Sequence, residues 1–196
     1  MIKIALTGSI GMGKSTVAAM AAKAGIPLFD ADAEVRLLQG GGKLVDSIET
    51  RFPGTTRDGA VDRELLAARV LGDRDQLAAL ETIVHPALVE RRQRFIADHR
   101  AAPALLFDIP LLFETKSEGA YDKVIVVSAP TDVQRARVLG RPGMTAARLD
   151  AILARQLPDA TKRERADFVI DTGGTLDQTR AQLDSILACL GLATGR

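Results

Sequence analysis

Short apolar runs alternate with amphipathic stretches along most of this chain. Ile2 to Leu6, Ile26-Pro27-Leu28-Phe29, Ala104-Leu105-Leu106-Phe107, Tyr121 to Val127 and Phe168-Val169-Ile170 are continuous apolar runs of strand length. The fourth is the richest in β-branched residues, which fit a pleated surface. A helix former follows the first run over residues 16–24 and stops at Gly25. A second helix starts near Asp32, carries Val35, Leu37 and Leu38, and is interrupted by Gly40-Gly41-Gly42. Leu44, Ile48 and Phe52 recur at four-residue spacing and predict a third over residues 43–52. Helices are also predicted over residues 131–139 and, capped by Thr145, from there through Gln156 to a stop before Pro158. A tail helix carries Leu176, Leu183, Ile186, Leu187 and Leu190 on one side. Strands without internal polar alternation, each followed by a helix, imply a mostly parallel five-stranded sheet covered on both faces, an α/β fold. The second strand is expected directly beside the first.

Strand character disappears between Asp62 and His99. Leu65, Leu66, Val70 and Leu71 mark one helix, Leu77, Leu80, Ile83 and Val84 another, and Leu88, Val89, Phe95 and Ile96 a third after Pro86. That is too much helix for one crossover, so residues 60–100 read as a helical lobe inserted at the sheet edge, placed to hold a second substrate. No internal repeat is visible, and disorder is expected only in the final few residues.

Composition narrows the picture without changing it. A chain of 196 residues is one domain with room for a small insertion. Its 26 basic and 25 acidic side chains give a net charge of +1, which does not suggest a nucleic-acid or membrane binder. The one cysteine, Cys189, excludes an internal disulfide framework or multi-thiolate metal site and is expected to pack on the apolar face of the last helix. Met1-Ile2-Lys3 runs straight into the first strand, and no apolar run is long enough to span a bilayer. A cytoplasmic enzyme is the expectation, a monomer first and a homo-oligomer second.

The chemistry concentrates after the first strand, in Gly8-Ser9-Ile10-Gly11-Met12-Gly13-Lys14-Ser15-Thr16. This matches G-x-x-x-x-G-K-[ST] in full, between a strand and a helix as that motif requires. Glycines let successive backbone N–H groups face one anion, and the following helix adds its own unpaired donors. Lys14 would reach the outer phosphates and Ser15 would hold Mg²⁺. The alternative, a merely flexible glycine turn, leaves the lysine and the flanking elements unexplained.

Phosphoryl transfer also needs charge around the travelling group and a positioned acceptor. Asp32 is the best general base, with an N-cap of the next helix as its structural alternative and Asp30 as a substitute base. Asp108 ends an apolar strand, where a carboxylate commonly holds Mg²⁺ through water, or is simply a turn residue. Arg135, Arg137, Arg141, Arg148 and Arg155 gather around Gly140-Arg141-Pro142-Gly143. Their planar forks suit phosphate, and the break reads as a flap that closes Arg137 and Arg141 over a nucleotide. Solvated helix faces are the alternative, the better one for Arg148. His85, just before Pro86, is equally a ligand or a structural residue.

The chain resembles the dephospho-coenzyme A kinases. The matching pieces are residues 6–16, Asp30-Ala31-Asp32, Asp62-Arg63, His85-Pro86, Pro110-Leu111-Leu112-Phe113-Glu114 and residues 134–141. Arg155-Gln156, Lys162 and Ala166-Asp167-Phe168-Val169-Ile170-Asp171 follow in the family's order, nearly to the chain end. The resemblance implies a three-layer α/β/α P-loop kinase fold over residues 1–196. It implies transfer of the γ-phosphate of ATP, with Mg²⁺, to the ribose 3′-hydroxyl of dephospho-coenzyme A. Asp32, Lys14 and Arg141 fall on catalytic positions, residues 60–100 on the coenzyme A lobe and residues 136–156 on the lid. The ATP side comprises Gly8, Ser9, Ile10, Gly11, Met12, Gly13, Lys14, Ser15, Thr16, Arg137, Arg141, Thr172 and Gly173. The acceptor side comprises Asp32, His85, Leu111 and Arg155, and the metal side Ser15 and Asp108. Thr172 stands where the family often has Asn. Ser9 and Met12 replace commoner residues at positions where the backbone does the binding.

Two other readings compete. One is a P-loop kinase for a nucleoside monophosphate or another small alcohol. The other is a GTP-dependent switch, for which Asp171-Thr172-Gly173-Gly174 and Thr115-Lys116-Ser117-Glu118 imitate the needed motifs in the wrong order, with Glu118 where aspartate is expected.

Overall fold

The computed structural model describes residues 1–192; the chain end expected to lack order lies outside them. Five strands form the main sheet: β1 (Ile2–Thr7), β2 (Leu28–Asp30), β5 (Ala104–Asp108), β6 (Lys123–Ser128) and β7 (Phe168–Asp171), in the order β2-β5-β1-β6-β7. β1 pairs in parallel with β5 and β6, and β6 in parallel with β7. The expectation that β2 adjoins β1 is corrected, because β5 lies between them. Sequence shows only which strands follow one another, while order in a sheet is set by the crossovers, and here the chain returns from residues 30–98 to insert β5.

The apolar strands are continuous because both of their faces are covered. Ile4 and Leu6 of β1 and Ile125 and Val127 of β6 enter one cluster with Val17 and Ala18 of α1 (Lys14–Lys23) and Leu183 and Ile186 of α9 (Leu176–Cys189). The intervening Ala5, Val124 and Val126 enter the other, with Leu112 and Phe113. The period-two alternation of a strand thus feeds two cores. The remaining helices of this unit are α6 (Thr131–Leu139), α7 (Ala146–Leu153) and α8 (Asp159–Glu164). Thr145 accepts from the Arg148 N–H and caps α7 as predicted, but the helix ends three residues before Gln156. The six-residue α8 was not anticipated. Cys189 is exposed rather than packed, and Leu176 is exposed at the start of its helix.

The chain divides into two compact units, Met1–Phe29 with His99–Arg196, and Asp30–Asp98. The second contains α2 (Ala31–Leu38), α3 (Lys43–Arg51), the antiparallel hairpin β3 (Thr56–Arg57) and β4 (Ala60–Val61), α4 (Arg63–Val70) and α5 (Arg74–Asp98). Its core joins Leu44, Val45, Ile48, Phe52, Val61, Leu66 and Val70. The two helices predicted either side of Pro86 are one, α5, with the proline inside it. The lost N–H weakens one turn, yet Leu80, Ile83, Val84 and Ala87 pack on the same cluster from both sides of the proline, so burial keeps the helix continuous. The hairpin went unread although Asp58-Gly59 is its signal: both residues have positive φ, 51° and 77°, the pair that a tight two-residue connection demands.

Candidate active site

The glycine-rich loop leaves β1 at Thr7 and enters α1 at Lys14. Gly11 and Gly13 have φ of 79° and 85°, which side chains strain to adopt. Space is equally restrictive, since a Cβ on Gly8 would lie 2.6 Å from the Val127 carbonyl oxygen and one on Gly11 2.5 Å from Val138 Cγ2. The loop is pressed against β6 and α6. Helix α1 begins with no side-chain cap and no acidic residue in its first turn, so its N-terminal field and donors are left for an anion.

The loop is also tied down from below. Met12 Sδ accepts from the Ala129 N–H at 3.1 Å, and the side chain is buried. Buried Thr172 donates from Oγ1 to the Met12 carbonyl at 2.8 Å. The same Oγ1 accepts from Arg137 Nη1 at 3.0 Å, and Arg137 Nη2 donates to the Thr172 carbonyl at 2.6 Å. Arg137, Thr172 and the loop, predicted separately, are therefore one hydrogen-bonded group. Gly173 follows with its N–H on Asp171 Oδ1 at 2.7 Å.

Lys14 and Asp108 form an ion pair, with side chains 17% and 6% exposed. This joins the candidate phosphate lysine to the candidate metal carboxylate at the end of β5. Ser15 and Thr16 are exposed. A hydroxyl and a carboxylate oxygen are the hard donors that Mg²⁺ takes. Among the described residues no group of three or more His, Cys, Asp and Glu could hold a metal ion.

Of the arginines around the 140–143 break, Arg135 is paired with Asp150 at 2.8 Å and Arg148 reaches the Gly143 carbonyl at 3.4 Å. Arg141 is exposed in the turn after α6, and among the described residues nothing engages its guanidinium. Arg155 lines a cavity of about 560 Å³ with Phe113, Glu114, Lys116, Gln156 and Arg165, and Leu111 is exposed.

In the unit Asp30–Asp98, Asp30 takes the capping role that Asp32 was offered. Its Oδ1 accepts from the Ala33 N–H at 2.9 Å and its backbone is extended, as an N-cap requires. Asp32 lies in the first turn of α2 with its side chain exposed, and among the described residues no donor holds its carboxylate. Glu34 pairs with Arg91 of α5 at 2.6 Å; the hydrogen bond and charge of Glu34 raise the Arg91 pKa. His85 is exposed on α5.

Gln134 with Gln156, and Glu114 with Lys162, lie in the segments that carry the family resemblance. Ile10 donates its N–H to Gln156 Oε1 at 3.1 Å and accepts at its carbonyl from Gln134 Nε2 at 2.7 Å. Glu114 Oε1 accepts from the Leu157 N–H at 2.8 Å and lies 2.8 Å from Nζ of fully buried Lys162. Burial raises the Glu114 pKa, but the Lys162 ammonium and the Leu157 N–H outweigh it and hold the carboxyl below the usual carboxylate value.

A sequence model of the family described as dephospho-CoA kinase matches residues 2–178. The chain belongs to the dephospho-CoA kinase family. Its activity is accordingly the ATP-dependent phosphorylation of dephospho-CoA, and it is a P-loop small-molecule kinase. It is 54% identical over 187 residues to a dephospho-CoA kinase of Rhodopseudomonas palustris, covering 94% of each chain. Over 186 residues it is 54% identical to that of Novosphingobium aromaticivorans, covering 94% of this chain and 92% of the relative. A crystal structure of a Thermus thermophilus protein superimposes with a TM-score of 0.85 at 34% identity, over 99% of this chain and 98% of that one. The three-layer α/β/α fold with its helical lobe is thereby shared. No helix among the described residues is long and apolar enough to cross a membrane.

Proposed function

We propose that the γ-phosphate of ATP is transferred to the ribose 3′-hydroxyl of dephospho-CoA, with Asp32 accepting the hydroxyl proton as the oxygen attacks phosphorus and ADP leaves. Residues 8–16 cradle the triphosphate and Lys14 neutralises its outer charge. Arg137, Thr172 and Gly173 form the nucleotide-side wall. Residues 136–156 act as a lid that brings Arg141 to the transferring group, and residues 60–100 as the acceptor lobe, with His85, Leu111 and Arg155 on the acceptor side. Ser15 and Asp108 are the residues that would hold Mg²⁺, which supplies charge neutralisation on the phosphates. The reading takes the chain as a cytoplasmic monomer that acts on small molecules and not on nucleic acid.

The observation that carries the assignment of the base is the division of labour between Asp30 and Asp32. Asp30 caps α2, so the neighbouring exposed carboxylate is not needed for the helix and stays available to a proton. An acceptor that is already a phosphate needs such a base less than an alcohol does.

Product formation with dephospho-CoA, with nucleoside monophosphates and without acceptor, each with ATP or GTP, tests the reading. Turnover that depends on dephospho-CoA is expected. Equal rates with nucleoside monophosphates would overturn the acceptor assignment, and slow GTP hydrolysis indifferent to any acceptor would favour a switch.

A further inference from the structure

Ile10 sits inside the phosphate loop, yet both of its backbone polar atoms are held by side chains from outside it. Gln156, beyond the end of α7, accepts the N–H, and Gln134, on α6 and only 4% exposed, donates to the carbonyl. The backbone chemistry fixes both amide orientations, because an N–H can meet only the oxygen of a glutamine and a carbonyl only its nitrogen. Each glutamine is held in turn. Gln134 lies on the turn of α6 that presses on Gly11, where an added Cβ would come within 3.1 Å of the Gln134 carbonyl oxygen. Gln156 is followed by Leu157, whose N–H is bound by Glu114, itself paired with buried Lys162.

We propose that Gln134 and Gln156 are positioning residues for phosphate transfer, holding the backbone N–H and carbonyl of Ile10 with opposite polarity so that the loop keeps the shape a triphosphate needs. Neither glutamine is a catalytic residue, since each acts through the loop backbone. The loop lies between a helix that precedes the 140–143 break and a segment that follows it. A change in that break is therefore transmitted to Ile10 through side chains rather than through the chain itself. The proposal rests on residues 8–16 being the triphosphate site, which the parent enzyme's use of ATP tests independently.

The two substitutions Gln134→Glu and Gln156→Glu each place a carboxyl group beside the Ile10 backbone but differ in polarity, Gln134 being also the more buried site. A carboxylate at 156 still accepts the Ile10 N–H, whereas one at 134 sets an acceptor against the Ile10 carbonyl. Gln156→Glu is expected to stay within about threefold of the parent in kcat/KM for ATP, and Gln134→Glu to lose on the order of 10- to 100-fold, as expected when a hydrogen bond is replaced by a buried clash of acceptors. KM for dephospho-CoA should move little in both. As a milder variant, Gln156→Leu should raise KM for ATP about 2- to 10-fold, the range for one lost neutral hydrogen bond, and should speed hydrogen exchange at the Ile10 amide. Equal losses in the two glutamate variants would mean that added charge, not polarity, decides, and would overturn the proposal. So would parental ATP kinetics in Gln156→Leu, or losses that track thermal stability and fall equally on both substrates. Parental ATP turnover measured alongside keeps the site assignment intact if the clamp fails.

Discussion

The loop of residues 8–16 and the first turn of α2 both carry charged groups assigned to chemistry, yet the fold treats them in opposite ways. At the loop several groups are already engaged: Ile10 by two glutamines, the Met12 carbonyl by Thr172, and Lys14 by Asp108. At α2 the structural duty falls on Asp30, and Asp32 is left exposed without a partner among the described residues. The difference follows from burial. A backbone loop packed on β6 and α6 must satisfy its polar atoms inside the protein, while an exposed helix start can leave a carboxylate to water. It follows that mutations in the two regions should separate activity from stability differently.

The largest expected effect is at the untied group. Asp32→Asn should lower turnover on the order of 10²- to 10⁴-fold, the usual contribution of a general base. Its stability should stay within about 1 kcal/mol of the parent, the usual size of one exposed carboxylate's interaction with a helix N-terminus. Binding of ATP and dephospho-CoA should change much less than turnover, because the lost interaction strengthens mainly as the proton leaves. Calorimetric titration, product assays and denaturant melts on one preparation check all three. Near-parental turnover would remove Asp32 from the mechanism.

Lys14→Ala comes next and should break both properties together. Transfer should fall on the order of 10²- to 10³-fold, as when one strong electrostatic contact to a transition state is removed. Unlike Asp32→Asn it should also destabilise the fold by about 1–3 kcal/mol, because Asp108 is desolvated and loses its cation. Denaturant melts beside kinetics give the answer. An inactive variant of parental stability would mean that the ion pair contributes nothing to the fold.

The smallest effect is expected at the 140–143 break, where Arg141 is as untied as Asp32. Arg141→Ala should lower kcat/KM for ATP about tenfold without loss of stability, on the order of one charge-assisted contact to the transferring group. ATP should slow hydrogen exchange over residues 136–156 in the parent more than in the variant. Equal protection with and without ATP would leave this segment an ordinary pair of surface helices.

Much of this protein was fixed by local chemistry that needs no partner. The phosphate loop could be read from Gly8 to Thr16 because its spacing and its strand and helix are contiguous in the chain. The five strands were legible because strands covered on both faces are apolar throughout. Tertiary structure decided what depends on distant residues. It placed β5 between β1 and β2, kept α5 whole through Pro86 by burying both of its halves, and gave Lys162 its carboxylate in Glu114. It also chose Asp30 over Asp32 as the cap, a choice between two similar residues that rests on the extended backbone at the end of β2. The glutamine clamp on Ile10 spans 124 and 146 residues of sequence. No periodicity or spacing announces such a contact, because the Ile10 backbone acquires its two partners only when α6 and the segment beyond α7 pack around the loop.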